Sequence, residues 1–319
     1  VLWDWQENCS ITVASSFMPG AIHVILNAAS GLKGKEQIPE IVKRVFHEHG
    51  FETVVHHPPR GTDICALARG LVSEGATVIV AGGGDGTLNA VASALAGTDT
   101  AFGVLPIGTL NHFARDLKIP FEIEEAARVI AECKTVQVDI GEVNGRRFIN
   151  NAIIGLYPVY RAQREHHEKR GRSRFLAALT AVVNVLRINP AMHVRLQQPG
   201  AEGERRTPIL MVGNNRHEME GYKLGNRDRM DEGLLWLYLV HRMNRLGLLR
   251  LGLSILLGRF SKSQTCEVLS APEFVVESSR KSVRISLDGE VVKMNYPLRY
   301  KSLPRALRVI VPANPKTDS

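Results

Sequence analysis

The sequence predicts an α/β domain with a parallel sheet, followed by an antiparallel β-sandwich domain. Three observations predict it. Short apolar runs alternate with helix-patterned segments from Ala21 to about Thr135. Beyond that point the alternation gives way to short β-like runs, beginning at an Asn144-Gly145 hairpin signal. Two of the early strands run into glycine-rich loops that open helices, a pattern of parallel sheets covered on both faces.

In order, Ala21–Asn27 is a short apolar strand. Lys35–Gly50 carries Ile38, Ile41, Val42, Val45 and Phe46 at helical spacing and ends at a glycine. Phe51–His56 reads as a strand and Asp63–Glu74 as a helix, with Asp63 near its N-cap. Ala76–Ala81 is a buried-type strand, Thr87–Ala96 a helix, Ala101–Leu105 a strand and Leu110–Leu117 a helix. Past Thr135, Val136–Glu142 and Arg147–Ile153 flank the hairpin turn. Further β-like runs are Met192–Gln197, Pro208–Gly213, Leu234–Val240, Thr265–Leu269, Glu273–Glu277, Ser282–Leu287 and Leu307–Val311. Helical stretches near Arg174–Arg187 and Arg245–Leu257 interrupt them. The boundary falls near 135–140, giving an N-terminal extension over 1–20, a first domain over 21–137 and a second over 138–319.

A chain of 319 residues with 44% hydrophobic and 23% charged residues has the composition of a folded globular protein, which excludes a disordered or low-complexity chain. No apolar run reaches the roughly 20 residues of a membrane-spanning helix. The nearest, Leu246–Gly258, carries Arg250 at its centre. Residues 1–20 lack the basic start and apolar core of a signal peptide. Cys9, Cys65, Cys133 and Cys266 stand far apart with no CxxC pair, as expected of reduced thiols in a cytosol. His56-His57 and His166-His167 lack metal-ligand spacing and read as surface pairs. The net charge of +8 divides into −5 over residues 1–150 and +13 over residues 151–319. A basic second half fits either an anionic partner or a solvated face.

The most informative segment is Val78-Ile79-Val80-Ala81-Gly82-Gly83-Gly84-Asp85-Gly86-Thr87-Leu88-Asn89. Glycines let backbone approach an anion with no Cβ in the way, and the helix start that follows offers unpaired N–H groups. Together they form a phosphate cradle. Asp85 adds a carboxylate that phosphate alone would repel, so a Mg²⁺ ion or a hydroxyl proton belongs between them. The pattern is neither GxxxxGK[ST] nor GxGxxG. A second segment, Leu105-Pro106-Ile107-Gly108-Thr109-Leu110-Asn111-His112-Phe113-Ala114-Arg115, repeats the strand, loop and polar helix start. In a parallel sheet both loops leave the carboxyl ends of strands, where ligands bind.

These segments, with the second loop continuing to Asp116-Leu117, resemble the diacylglycerol kinase catalytic-domain family, which includes bacterial lipid kinases and sphingosine and ceramide kinases. The resemblance runs from Ala21 to Pro312. It implies a phosphofructokinase-like nucleotide-binding α/β domain and a C-terminal lipid-binding β-sandwich. Asn27-Ala28-Ala29-Ser30-Gly31 resembles the family's first loop without its usual proline, and Thr62 stands where the family carries a nucleotide-contacting threonine. The nucleotide-binding set so implied is Asn27, Ser30, Gly31, Thr62, Gly82, Gly83, Gly84, Gly86, Thr87, Gly108, Thr109 and Asn111. His112 departs from the acidic residue often found after that asparagine. Asp288-Gly289-Glu290, alone an ordinary turn, is similar to the family's C-terminal motif, which makes Glu290 the general base on a lipid hydroxyl, supported by Asp288. Asp85 completes the catalytic set and faces a nucleotide-bound Mg²⁺. Asp231 and Glu232, before Gly233, stand near a metal site of some bacterial members.

The activity implied is an ATP- and Mg²⁺-dependent lipid kinase, cytoplasmic and transiently associated with the inner face of the membrane. A homodimer is compatible with it and nucleic acid is not expected. Arg242–Lys262 holds five Lys/Arg, no acid, and leucines at helical spacing, so Arg245, Arg250 and Arg259 are candidate contacts to an anionic membrane. Two other functions compete. NAD kinase shares the GGDGT loop but resembles Gly-x-Asn-x-Gly-x-Leu-Gly at the second loop, which is absent here. A non-catalytic lipid or nucleotide sensor would have no need for Asp85, Asp288 and Glu290.

Overall fold

The computed structural model describes residues 20–27, 37–155, 192–198, 201–217, 219–220, 223–224, 227, 229–240 and 266–313. The N-terminal extension up to residue 19, Ser30, Gly31, the helical stretches near Arg174–Arg187 and Arg245–Leu257, and with them Arg245, Arg250 and Arg259, lie outside the described residues. By its internal contacts the chain divides into two units. The first comprises the residues up to Ile140, Asn226–Gly233 and the residues from Leu303 onward. The second comprises Gly141–Gly225 and Leu234–Ser302, so the chain passes between the units more than once.

The first unit is built on four parallel strands, β1 (Ile22–Leu26), β2 (Thr53–His56), β3 (Val78–Gly82) and β4 (Ala101–Leu105), in the order β2-β1-β3-β4. Every residue of β3 and β4 is buried, which is why these segments read as continuous apolar runs rather than as alternating ones. Helix α1 (Ile38–Glu48) buries Ile38, Val42, Val45 and Phe46 along one stripe, and its chain turns out through Gly50 at φ 82°. Helix α2 (Ile64–Ser73) starts where Asp63 accepts the Ala66 N–H at 3.0 Å. Helix α3 (Asp85–Leu95) follows β3, and the five-residue α4 (His112–Asp116) follows β4. The sequence reading has no counterpart for α5 (Ile123–Ala131), which packs with α1 and is tied to it by Arg44 and Glu124 at 2.9 Å. His56 departs from the surface-pair expectation: its ring meets that of His23 at 3.1 Å between β2 and β1.

Strand β5 (Thr135–Val143) leads through Asn144 and Gly145, both at positive φ, into β6 (Arg146–Phe148), the hairpin that Asn-Gly signals. The second unit continues with β7 (Asn151–Gly155), β8 (Met192–Gln198), β9 (Ala201–Thr207), β10 (Ile209–Asn214), the two-residue β11 (Met219–Glu220) and β12 (Lys223–Leu224), β13 (Leu235–Val240), β14 (Cys266–Ala271), β15 (Glu273–Glu277), β16 (Ser282–Leu287), β17 (Glu290–Asn295) and the start of β18 (Leu298–Ile310), whose residues from Leu303 belong to the first unit. One antiparallel sheet has the order β14-β13-β10-β7-β16-β17. Facing residues Ile154, Leu210, Leu237 and Ile285 from that sheet share a core with Val194, Phe274, Leu298 and Tyr300 from β8, β15 and β18. Inward apolar residues from two layers of strands make this a sandwich. Strands β9 and β17 and the first half of β18 lie outside the sequence-predicted runs, because their polar and charged residues break the apolar alternation. Among the described residues no helix is long and apolar enough to cross a membrane.

Candidate active site

In the first unit the four parallel strands deliver their following loops to one end of the sheet. The chain order reverses between β1 and β3, so the crevice between those strands is the place where ligands bind in such sheets. Asn27, just past β1, donates its backbone N–H to the Gly82 carbonyl at 2.9 Å and its side-chain Nδ2 to Thr87 Oγ1 at 3.0 Å. Two predicted nucleotide-binding residues, one just past β1 and one in the first turn of α3, therefore meet directly.

Each glycine of the cradle has its own reason. A Cβ on Gly82 would lie 2.5 Å from Leu26 Cδ2, and one on Gly83 would lie 2.7 Å from Thr87 Oγ1. Gly84 and Gly86 face open space within 4 Å. Gly84 is the N-cap of α3, so the helix starts two residues earlier than the sequence suggests and Asp85 is its first residue. A carboxylate there is favoured by the positive end of the helix dipole. Asp85 is half-buried, with Oδ1 shielded from solvent.

The second loop closes on the first. A Cβ on Gly108 would stand 2.9 Å from the Gly84 Cα and 3.1 Å from the Gly83 carbonyl oxygen. Asn111 sits in the left-handed region at φ 50° and is buried. Its Oδ1 accepts the Gly108 N–H, and its Nδ2 donates to the carbonyls of Pro106 and Gly108, each at 3.0 Å. The amide of Asn111 shapes the loop from within. Thr109 is exposed on that loop, and Thr62 is exposed in the loop after β2.

In the second unit Asp288 and Gly289 join β16 to β17. Both have positive φ, 43° and 88°, and Leu287 pairs with Glu290 across them, the signature of a type I′ turn. The Asp288 carboxylate accepts the N–H of Ile149 at 2.7 Å, of Asn150 at 2.8 Å and of Asn151 at 2.9 Å. Asp288 thus anchors the turn, and the exposed Glu290 is the carboxylate this turn presents.

Comparison with known proteins bears on the family and the fold. Residues 21–143 match the family model described as diacylglycerol kinase catalytic domain, and residues 159–311 match the YegS C-terminal NAD kinase beta sandwich-like domain. A protein of Pseudomonas aeruginosa named "Probable lipid kinase YegS-like" is 30% identical over 288 residues, covering 88% of this chain and 93% of that protein. The chain belongs to the diacylglycerol kinase catalytic-domain family. A Bacillus subtilis protein named "Diacylglycerol kinase" is 28% identical over 298 residues, covering 91% of this chain and 95% of that protein. The crystal structure of a diacylglycerol kinase from Bacillus anthracis shares the fold, with a TM-score of 0.68 at 19% identity over 93% of this chain and 99% of that one.

Other members of the family-implied site have partners of their own. Asp231 is paired with Arg229 at 3.2 Å, and the Gly233 N–H next to Glu232 donates to Asp139 at 2.6 Å. Among the described residues no group of three or more His, Cys, Asp or Glu side chains converges as metal ligands. Sequence reasoning missed Asp139, Asp116 and Arg227. The buried Asp116 and Arg227 pair at 2.7 Å, joining α4 to the Asn226–Gly233 segment within the first unit. Nothing in the spacing of positions 116 and 227 signals that contact.

Proposed function

We propose that this lipid-kinase family member transfers the γ-phosphate of ATP to the hydroxyl of a lipid alcohol. The observation that carries the proposal is the closure of Gly108 onto Gly83 and Gly84, beside open space at Gly84 and Gly86. It leaves backbone N–H groups at the start of α3 accessible to a polyphosphate and excludes side chains from their approach. Asp85 has the right character to face a nucleotide-bound Mg²⁺, since it is a half-buried carboxylate at the edge of the same cradle. Such an ion supplies charge neutralisation on the phosphates. Asp231, already neutralised by Arg229, is the weaker place for a cation.

Glu290 takes the proton of the lipid hydroxyl. The hydroxyl oxygen forms its bond to the γ-phosphorus as the bond from that phosphorus to the bridging oxygen breaks, and ADP leaves with that oxygen. Asn27, Thr62, Thr87 and Thr109 contribute polar contacts around the nucleotide, together with Ser30 and Gly31 of the first loop. Docking of the basic second half on anionic lipid, through Arg245, Arg250 and Arg259, accounts for access to a bilayer substrate and weakens as salt rises.

The test is transfer of ³²P from γ-labelled ATP to diacylglycerol, ceramide, a sphingoid base and a polyprenol in mixed micelles and to NAD in the aqueous phase, followed by lipid extraction, with a parallel titration of ATP binding. Label in the lipid phase supports the proposal. Label in NAD and in no lipid replaces it with an NAD kinase, and ATP binding with no transfer at all replaces it with a sensor.

A further inference from the structure

Every backbone polar group of Ile149, Asn150 and Asn151 has a partner. The three N–H groups go to the Asp288 carboxylate. The Ile149 carbonyl accepts from Asn214 Nδ2 at 3.1 Å, the Asn150 carbonyl from the Asn214 N–H at 2.9 Å, and the Asn151 carbonyl from the Asp288 N–H at 3.0 Å. The segment is gripped on one side by Asp288 and on the other by Asn214.

Asn214 ends β10 with no solvent exposure, and Asn215 and His217 after it are also buried. Asn215 takes the left-handed region at φ 67°, which turns the chain so that the His217 ring comes back within 3.4 Å of the Asn150 carbonyl. Gly213 allows this return, since a Cβ there would lie 2.8 Å from His217 Cδ2. Tyr238 fixes His217 in place: its hydroxyl accepts the His217 N–H at 3.0 Å and donates to the His217 carbonyl at 3.2 Å. Burying so many polar groups costs free energy unless they are hydrogen-bonded. The bonds of Asn214 and His217 converge on the 149–151 segment, and that segment holds the turn that presents Glu290.

We propose that Asn214 is a positioning residue for the Asp288–Glu290 turn, acting through Ile149–Asn151 and backed by His217 and Tyr238. The functional part rests on the lipid-kinase reading. A type I′ turn has only two residues, so a displacement of its anchor is passed to Glu290 rather than absorbed. Small displacements of a reacting group cost large factors in rate.

The experiment compares wild type with Asn214→Ala and Asn214→Asp in the full chain. It measures kcat in mixed micelles on whichever lipid wild type labels fastest among diacylglycerol, ceramide, a sphingoid base and a polyprenol, together with ATP affinity, the pH profile of kcat, and amide hydrogen exchange at Asn150 and Asn151. The expected result is a fall in kcat on the order of 10- to 100-fold, unchanged ATP affinity, an altered acidic limb and faster exchange at both amides. The Asn214→Ala, Asp288→Ala double variant should lose no more activity than Asp288→Ala alone, since both act through one segment. Faster exchange with unchanged kcat overturns the proposal, as do fully additive losses or equal losses of kcat and ATP affinity. A wild type that labels no lipid overturns the lipid-kinase reading; an active wild type with unimpaired Asn214 variants overturns the positioning role alone.

Discussion

Gly108 and Gly84 approach so closely that a Cβ on Gly108 would stand 2.9 Å from the Gly84 Cα, although the two residues belong to loops after different strands. The contact makes one cradle of two glycine loops. It also separates two kinds of glycine requirement, because Gly108 is closed in by backbone while Gly84 faces open space.

Gly108→Ala should therefore destabilise the fold by about 1–3 kcal/mol, the usual range for overpacking, and weaken ATP binding with it. Gly84→Ala should cost less than about 1 kcal/mol, as its φ of −80° suits alanine and only the capping preference is lost. Its new methyl would stand in the space a phosphate needs, so ATP affinity should fall regardless. Urea unfolding and ATP titration of the two variants check this, and equal stability losses would refute the distinction.

Asp85→Ala should abolish phosphate transfer with little effect on folding. It removes a helix-start carboxylate, worth about 0.3–1 kcal/mol of dipole interaction. Loss of a metal-facing carboxylate should lower kcat by about 10² or more. A thermal melt and a transfer assay on one preparation are sufficient, and near-wild-type turnover would remove Asp85 from the metal role.

The parallel sheet was legible because its strands are buried on both faces, so β3 and β4 appear as unbroken apolar runs. The cradle was legible because its glycines are consecutive in sequence. Helix α5 was not, because Glu124, Glu125 and Arg128 mask its stripe of Ala126, Ala127, Val129 and Ile130. The start of β18 was missed because Ser302, Pro304 and Arg305 break the alternation that Leu298, Arg299, Tyr300 and Lys301 begin. The anchoring of the 149–151 backbone by Asp288 was not legible, since those partners are more than 130 positions away and use backbone atoms, which carry no side-chain signal. The partners of Asn111 lie in its own loop, but they too are backbone atoms, so the closing role of its amide left no side-chain signal.

Asp288 and Glu290 should respond differently to isosteric amides. In Asp288→Asn one acceptor oxygen is replaced by an N–H₂ group that faces backbone donors. Leaving buried donors unsatisfied costs about 1–3 kcal/mol each, so the variant should unfold at lower urea. Glu290→Gln, at an exposed position, should unfold like wild type and lose about 10² in kcat as expected for removal of a general base. Stability losses of the same size in both would contradict the division of labour between anchor and base.

The His23 and His56 rings link β1 to β2 at 3.1 Å, so at least one proton must lie between them and a second is opposed. Burial holds the His56 imidazole below its ordinary value, and the neighbouring His23 charge lowers it further, with His57 adding to the effect and Glu74 opposing it. The unfolded chain therefore binds a proton at His56 more readily than the folded one. Stability should be unaffected above the ordinary imidazole value of about 6.5 and should decline as pH falls below it. Urea midpoints at about pH 7.5 and about pH 5.5, either side of that value, should differ in wild type and differ less in His56→Asn. An asparagine keeps a hydrogen-bonding group beside His23 but does not titrate. An unchanged pH dependence in the variant would show that His56 is not the group responsible.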